Sequence, residues 1–142
     1  MNCSIARTLE QVGDWWTLLI IREAFFGTRR FGEFQAHLGI APNVLSARLQ
    51  GLVGHGILRA VSESENGRVL DYRLTDKGRD LFPIIVALLQ WGDRHAPVPG
   101  GPPVNIVDRE RGQPIAAMQV RSEDGRVLQA RDVLAKPASP DA

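Results

Sequence analysis

Cysteine is nearly missing from this chain: Cys3 is the only one in 142 residues. An intrachain disulfide is excluded, and so is a structural zinc site built on paired thiolates. Long apolar runs are missing too. Stretches such as Leu18 to Ile21 are far too short to span a bilayer. The first residues, Met1-Asn2-Cys3-Ser4-Ile5-Ala6-Arg7, lack the basic-then-apolar pattern of a secretory signal, so a soluble, cytoplasmic chain is expected. No glycine-rich phosphate loop and no cluster of metal-ligand residues occurs, and His37, His55 and His95 lie on separate segments without an evident nucleophile. An enzyme and a bound cofactor are therefore not expected.

Charge of one sign is also scarce overall, with a formal net charge of only +1. Its distribution is less even. Between residues 28 and 60 there are four arginines, Arg29, Arg30, Arg48 and Arg59, against one acid, Glu33. A local basic face on a near-neutral chain can still supply phosphate contacts and a salt-dependent affinity. By itself such a face reads first as a solvated helix surface, since charged residues normally sit outside.

What is present is a helix-turn-helix pattern. Phe31, Phe34 and Leu38 fall three and four apart, on one face of a helix. Val44, Leu45, Leu49, Leu52 and Val53 do the same in a second helix. Between them, Gly39 can adopt positive φ and stop the first helix, and Pro42 suits the first turn of the second. In that arrangement the start of the second helix can enter a DNA major groove. Ile57–Val61 and Val69–Leu74 then read as strands, separated by a segment carrying Asn66-Gly67, a strong hairpin signal. A helix-turn-helix followed at once by a hairpin is a winged helix.

The remaining segments frame this unit. Residues 5–26 read as two helices interrupted at Gly13-Asp14, with Asp14 as N-cap. The second of them is apolar nearly all round, and Trp15, Trp16, Leu19 and Ile20 are expected in the core. Residues 76–95 read as one further helix, with Pro83 either kinking it or sitting near a first turn. The faces that include Leu9, Val12, Leu81, Ile85, Leu88 and Trp91 exceed what a small winged helix can cover, so a homodimer through the N- and C-terminal helices is expected. The fold class is thus α+β: a winged helix-turn-helix over residues 1–96, a Pro/Gly linker at 97–103, a small β-hairpin appendage at 104–135 signalled by Asp124-Gly125, and a disordered tail at 136–142.

In several ordered blocks the chain resembles the HxlR-type winged-helix transcription regulators, whose architecture is MarR-like. The blocks are Cys3-Ser4-Ile5-Ala6-Arg7, Trp16 to Glu23, Arg29 to Phe34, Val44 to Leu49 and Tyr72 to Gly78. The resemblance spans residues 3 to about 95. It implies a bacterial or archaeal homodimer that binds double-stranded DNA at a pseudo-palindromic operator. Where the family often has Ser-Pro and a basic residue, this chain has Ala41, Pro42 and Asn43. Asn43 could read adenine by a bidentate bond or serve the helix start locally.

The candidate groove face is Pro42, Asn43, Ser46 and Ala47; Arg29, Arg30 and Arg48 are candidates for phosphate; Arg68, at the wing, for the backbone or minor groove. Cys3 matches a cysteine that some members use to sense oxidants, which makes it the candidate redox sensor; the other reading is a small buried apolar residue at the dimer interface. A small-molecule effector is the other regulatory partner the resemblance allows. Some members end in a zinc ribbon; here the matching positions hold Asp108, Arg111, Arg121 and Asp124, which speaks against zinc. The competing class is a winged-helix protein-interaction module that reads no DNA.

Overall fold

The structure is a computed structural model that describes residues 3–62, 65, 67 and 69–138. The described chain forms two units, residues 1–85 and 86–142.

In the first unit, α1 (Ser4–Val12) leads into α2 (Trp15–Phe25) through Gly13 and Asp14. Asp14 caps α2 as its sequence position suggested, its carboxylate accepting the Thr17 N–H at 3.2 Å. The helix-turn-helix follows as α3 (Phe31–Leu38) and α4 (Pro42–Gly54). Gly39 ends α3 at φ 64°, a left-handed conformation that a side chain would strain. Pro42 takes the first position of α4, where no N–H is needed. The wing is an antiparallel pair, β1 (Leu58–Ser62) and β2 (Leu70–Leu74), in register from Leu58 opposite Leu74 to Ser62 opposite Leu70. Each strand starts one residue later than the sequence pattern indicated. Arg30 adds a single bridge to Asp71, so the chain just before α3 runs beside the wing.

The core holds Ile20 and Ile21 of α2, Phe34 of α3, Leu45, Leu49 and Leu52 of α4, and Ile57 and Leu58 at the entry to the wing. Of these, Phe34, Leu45, Leu49 and Leu52 are positions that the three-and-four spacing selected; Val53, selected with them, is exposed. Trp15 is a correction: it is 72% exposed, while Trp16 and Leu19 are half-buried. It is the first residue of α2. The inward stripe of that helix instead passes through Thr17, Ile20, Ile21 and Glu23.

The expected single helix at 76–95 is two, α5 (Asp76–Arg79) and α6 (Phe82–His95). Pro83 explains the break. It has no N–H to donate to Arg79, and its ring would clash with that carbonyl if the helix continued. Two of the proposed interface residues, Val12 and Ile85, are buried in the first unit's core, with Leu81 packed against it.

In the second unit, α6 carries Gln90, whose Nε2 donates to the Ala116 carbonyl at 3.1 Å and whose Oε1 accepts the Met118 N–H at 2.7 Å. The side chain thus acts as a strand partner for the tail. Beyond the linker a bridge joins Val107 to Pro114, and β3 (Val120–Arg121) pairs with β4 (Val127–Leu128). Gly125, at φ 95°, makes the turn that Asp124-Gly125 signalled. A short 3₁₀ turn covers Ala130–Asp132. Asp108 folds a turn by accepting the N–H groups of Glu110 (2.7 Å) and Arg111 (3.0 Å), and Asp124 pairs with Arg126 at 2.9 Å. Of the expected tail disorder, residues 139–142 lie outside the described residues.

Candidate nucleic-acid interface

The helix α4 is held from below and open at its start. Leu45, Leu49 and Leu52 bury one face. The other face begins with Pro42 and Asn43, both exposed, then half-buried Ser46 and exposed Ala47. Ala41 is the N-cap and has no side chain to offer, so the first N–H groups of α4 meet solvent without a capping oxygen. Asn43 sits one position past Pro42 and makes no side-chain hydrogen bond among the described residues. A free amide at the exposed start of a helix whose body is anchored is suited to reaching a base edge.

Two ties, an ion pair and a buried hydrogen-bond cluster, fix the helix-turn-helix to α2. At the start of α2, Arg48 Nε lies 2.8 Å from Asp14 Oδ1, with Nη2 3.3 Å from Oδ2. That hydrogen bond holds the Asp14 carboxyl below its ordinary value. Arg48, assigned from sequence to a phosphate, is therefore engaged within the protein in this state. Near the end of α2, buried Glu23 accepts from Thr28 Oγ1 at 2.8 Å, His37 Nδ1 at 2.8 Å and Arg22 Nη2 at 2.9 Å. Because a carboxylate can only accept, His37 carries its proton on Nδ1 here. Burial pushes the Glu23 carboxyl up; the hydrogen bonds from Thr28, His37 and Arg22 outweigh it and the net shift is downward. Sequence reading missed this tie. Glu23 and His37 are fourteen positions apart, and only the packing of α3 on α2 brings them together. A glutamate inside an apolar helix was the available signal.

The other expected site residues separate. Arg29 is exposed, and its carbonyl accepts the Tyr72 N–H at 2.7 Å. Arg30 is also exposed; its Nε is 3.4 Å from Asp71 Oδ1, and its own N–H donates to Glu33 at 3.3 Å. Both therefore stand where the wing meets the start of α3. Arg68 lies outside the described residues. Cys3 is exposed at the N-cap of α1, and Arg7 donates to Ser4 Oγ at 3.1 Å.

The far end of α4 is fastened as well. Lys77 Nζ donates to the His55 carbonyl at 2.6 Å and to Gln11 Oε1 at 2.8 Å. Thr75 Oγ1 accepts the Gly78 N–H at 3.0 Å and donates to the Gly56 carbonyl. The segment Leu74-Thr75-Asp76-Lys77-Gly78 thus ties the wing to the end of α4.

Residues 11–99 match the family model of HxlR-like helix-turn-helix proteins. The chain is 45% identical over 134 residues to the HTH-type transcriptional regulator Rv3095 of Mycobacterium tuberculosis, a match covering 94% of this chain and 85% of that protein. The HTH-type transcriptional regulator sll1512 of Synechocystis sp. is 32% identical over 91 residues, covering 63% and 67%. Among solved structures, that of PA1607, described as a candidate transcription factor, superposes with a TM-score of 0.89 at 48% identity over 96% of each chain. The redox regulator HypR in its reduced form superposes with a TM-score of 0.62 at 26% identity, over 66% of this chain and 94% of that one. No helix among the described residues is long and apolar enough to cross a membrane.

Proposed function

The chain belongs to the HxlR-like helix-turn-helix family, a family of transcriptional regulators whose helix-turn-helix implies DNA binding, and from that premise we propose that it acts in the cytoplasm as a homodimer on a pseudo-palindromic operator. The observation that carries the reading is the state of α4. One face of its body is buried, and it is tied at mid-helix through Arg48 and at its end through the His55 carbonyl, while Pro42, Asn43 and Ala47 are exposed at its start. An anchored helix with a free first turn is the geometry that enters a major groove.

Roles follow from that placement. Asn43 reads a base edge, and Ser46 and Ala47 pack along the groove. Arg29 and Arg30 contact phosphates beside the start of α3. Arg48 sets the angle of α4 through Asp14, and any phosphate contact it makes requires leaving that carboxylate. Cys3 is the thiol through which the chain would answer an oxidant; loss of DNA binding on peroxide treatment that persists unchanged in Cys3→Ser removes it from that role.

The test is selection of genomic fragments on the purified full chain, then footprinting of the enriched sequences and titration against salt. We expect an inverted repeat protected on one face of the duplex. Arg30→Ala should weaken all sequences alike and lower the salt slope by about one unit. Enrichment of no common sequence, together with a salt slope near zero, would refute DNA readout.

A further inference from the structure

Beside the wing lies a cavity of about 330 Å³ lined by Arg29, Arg59, Arg73 and Arg79 together with Phe25 and Tyr72. Four arginines line this one cavity in a chain whose net charge is only +1. The strand register sharpens the point: Arg59 stands directly opposite Arg73 across the β1–β2 ladder. Like charges facing each other in a sheet are destabilising, and opposite charges are the usual choice there. Asp71 is shared between Arg73, at 3.2 Å, and Arg30, at 3.4 Å. Asp76 pairs with Arg79, which also donates to the Leu74 carbonyl at 2.9 Å. Arg29 and Arg59, both exposed, have no carboxylate partner among the described residues.

We propose that this pocket is an anion site that holds a phosphate group, distinct from the face presented by the start of α4. Guanidinium is the group best matched to phosphate, because its planar fork donates two parallel hydrogen bonds. An anion held here would relieve the Arg59–Arg73 opposition. It would also bridge both wing strands to the segment that starts α3, since Arg29 comes from that segment. The phosphate has two sources, a free phosphate compound or the backbone of duplex DNA flanking the operator. Only the second rests on the DNA reading above.

The experiment has two arms on the full chain and on Arg59→Gln, with circular dichroism checking the fold. In the first, pyrophosphate is titrated calorimetrically at low ionic strength, with sodium chloride matched for ionic strength as control. A free compound as source predicts saturable binding, one per chain, weakened about tenfold or more in Arg59→Gln, while the DNA salt slope of that variant stays unchanged. In the second arm, duplex binding is titrated against salt. The backbone as source predicts a salt slope lowered by about one unit in Arg59→Gln, with no saturable pyrophosphate binding to the free protein. Should Arg59→Gln not fold, Arg59→Lys carries the same readings through its lost fork, as a severalfold weakening. Pyrophosphate affinity and DNA slope both unaffected by the substitution would overturn the site. A protein that binds no DNA at all but binds pyrophosphate through Arg59 would leave the pocket standing and the regulator reading refuted.

Discussion

Asn43 and Glu23 show how differently two polar residues can serve the same helix pair. Asn43 is exposed and unpartnered among the described residues, so its substitution costs the fold little. Asn43→Ala should relax base preference at one position per half-site, by about 1–3 kcal/mol between the preferred and other bases. Binding to random duplexes should hardly change; equal weakening of specific and random DNA in competition assays would reassign Asn43 to a phosphate. Glu23 is the opposite case, buried and triply hydrogen-bonded, with its carboxyl held below its ordinary value of 4.5. A carboxyl lowered in the folded state adds stability above its unfolded pKa, and that stability is lost as pH falls through the folded value. The protein should therefore lose stability as acid is added below about pH 4.5. Asp14, also lowered, contributes in the same direction. Glu23→Gln should cost about 1–3 kcal/mol at neutral pH, through loss of charge-assisted bonds to Thr28, Arg22 and His37. It should also make the acid decline shallower. Urea unfolding across that pH range checks both, and an unchanged pH dependence would show that the tie contributes nothing.

At the scale of elements, α5 looks too short to matter, yet it closes the wing. Gly78 is buried, and a Cβ added there would stand 2.2 Å from the Ile57 carbonyl oxygen. That contact is with backbone, which cannot turn aside as a flexible side chain would. Gly78→Ala should destabilise the protein by about 1–3 kcal/mol or more, visible as a lowered urea midpoint with an unchanged slope. A midpoint equal to that of the unsubstituted protein would mean that β1 and α5 separate easily. This position also marks where the sequence was legible and where it was not. Gly39, Pro42 and Asp14 act through local backbone geometry, so each could be read from its neighbours. The buried faces of α3 and α4 follow from spacing for the same reason. The Asp14–Arg48 and Glu23–His37 ties depend on how helices cross, and no local pattern encodes a crossing. The exposure of Trp15 was missed because apolar composition shows that a helix has much to bury, not which turn escapes. The reduction of one helix to α5 and α6 was encoded in Pro83, whose two readings only the backbone could separate. The groove residues proposed from sequence fall within the first turns of α4, with Pro42, Asn43 and Ala47 exposed and Ser46 half-buried, whereas the arginine pocket draws on α2, both wing strands and α5, and has no signature in any one stretch.

For the whole molecule, the exposed apolar surface argues for a partner of the same kind. Leu88 and Trp91 on α6 are 52% and 65% exposed, and Ile5 and Leu9 on α1 are 70% and 56% exposed. Single exposed apolar residues are ordinary, but several large ones on the same helices usually mark an interface. A second copy is the economical occupant, since a two-fold axis presents two α4 helices to successive major grooves of one duplex, roughly 34 Å apart. Val12 and Ile85 are excluded from that interface because they are already inside the core. The decisive substitution is Leu88→Asp, which introduces a charge on an exposed face and so need not disturb the fold of one chain. It should convert a dimer to a folded monomer and weaken operator binding about tenfold or more, because each chain then holds only one half-site. Sedimentation velocity at micromolar concentration, with circular dichroism in parallel, separates dissociation from unfolding. Should the unsubstituted chain sediment as a monomer without DNA, and Leu88→Asp bind the operator equally well, α6 would have no part in assembly and a palindromic operator would lose its structural reason.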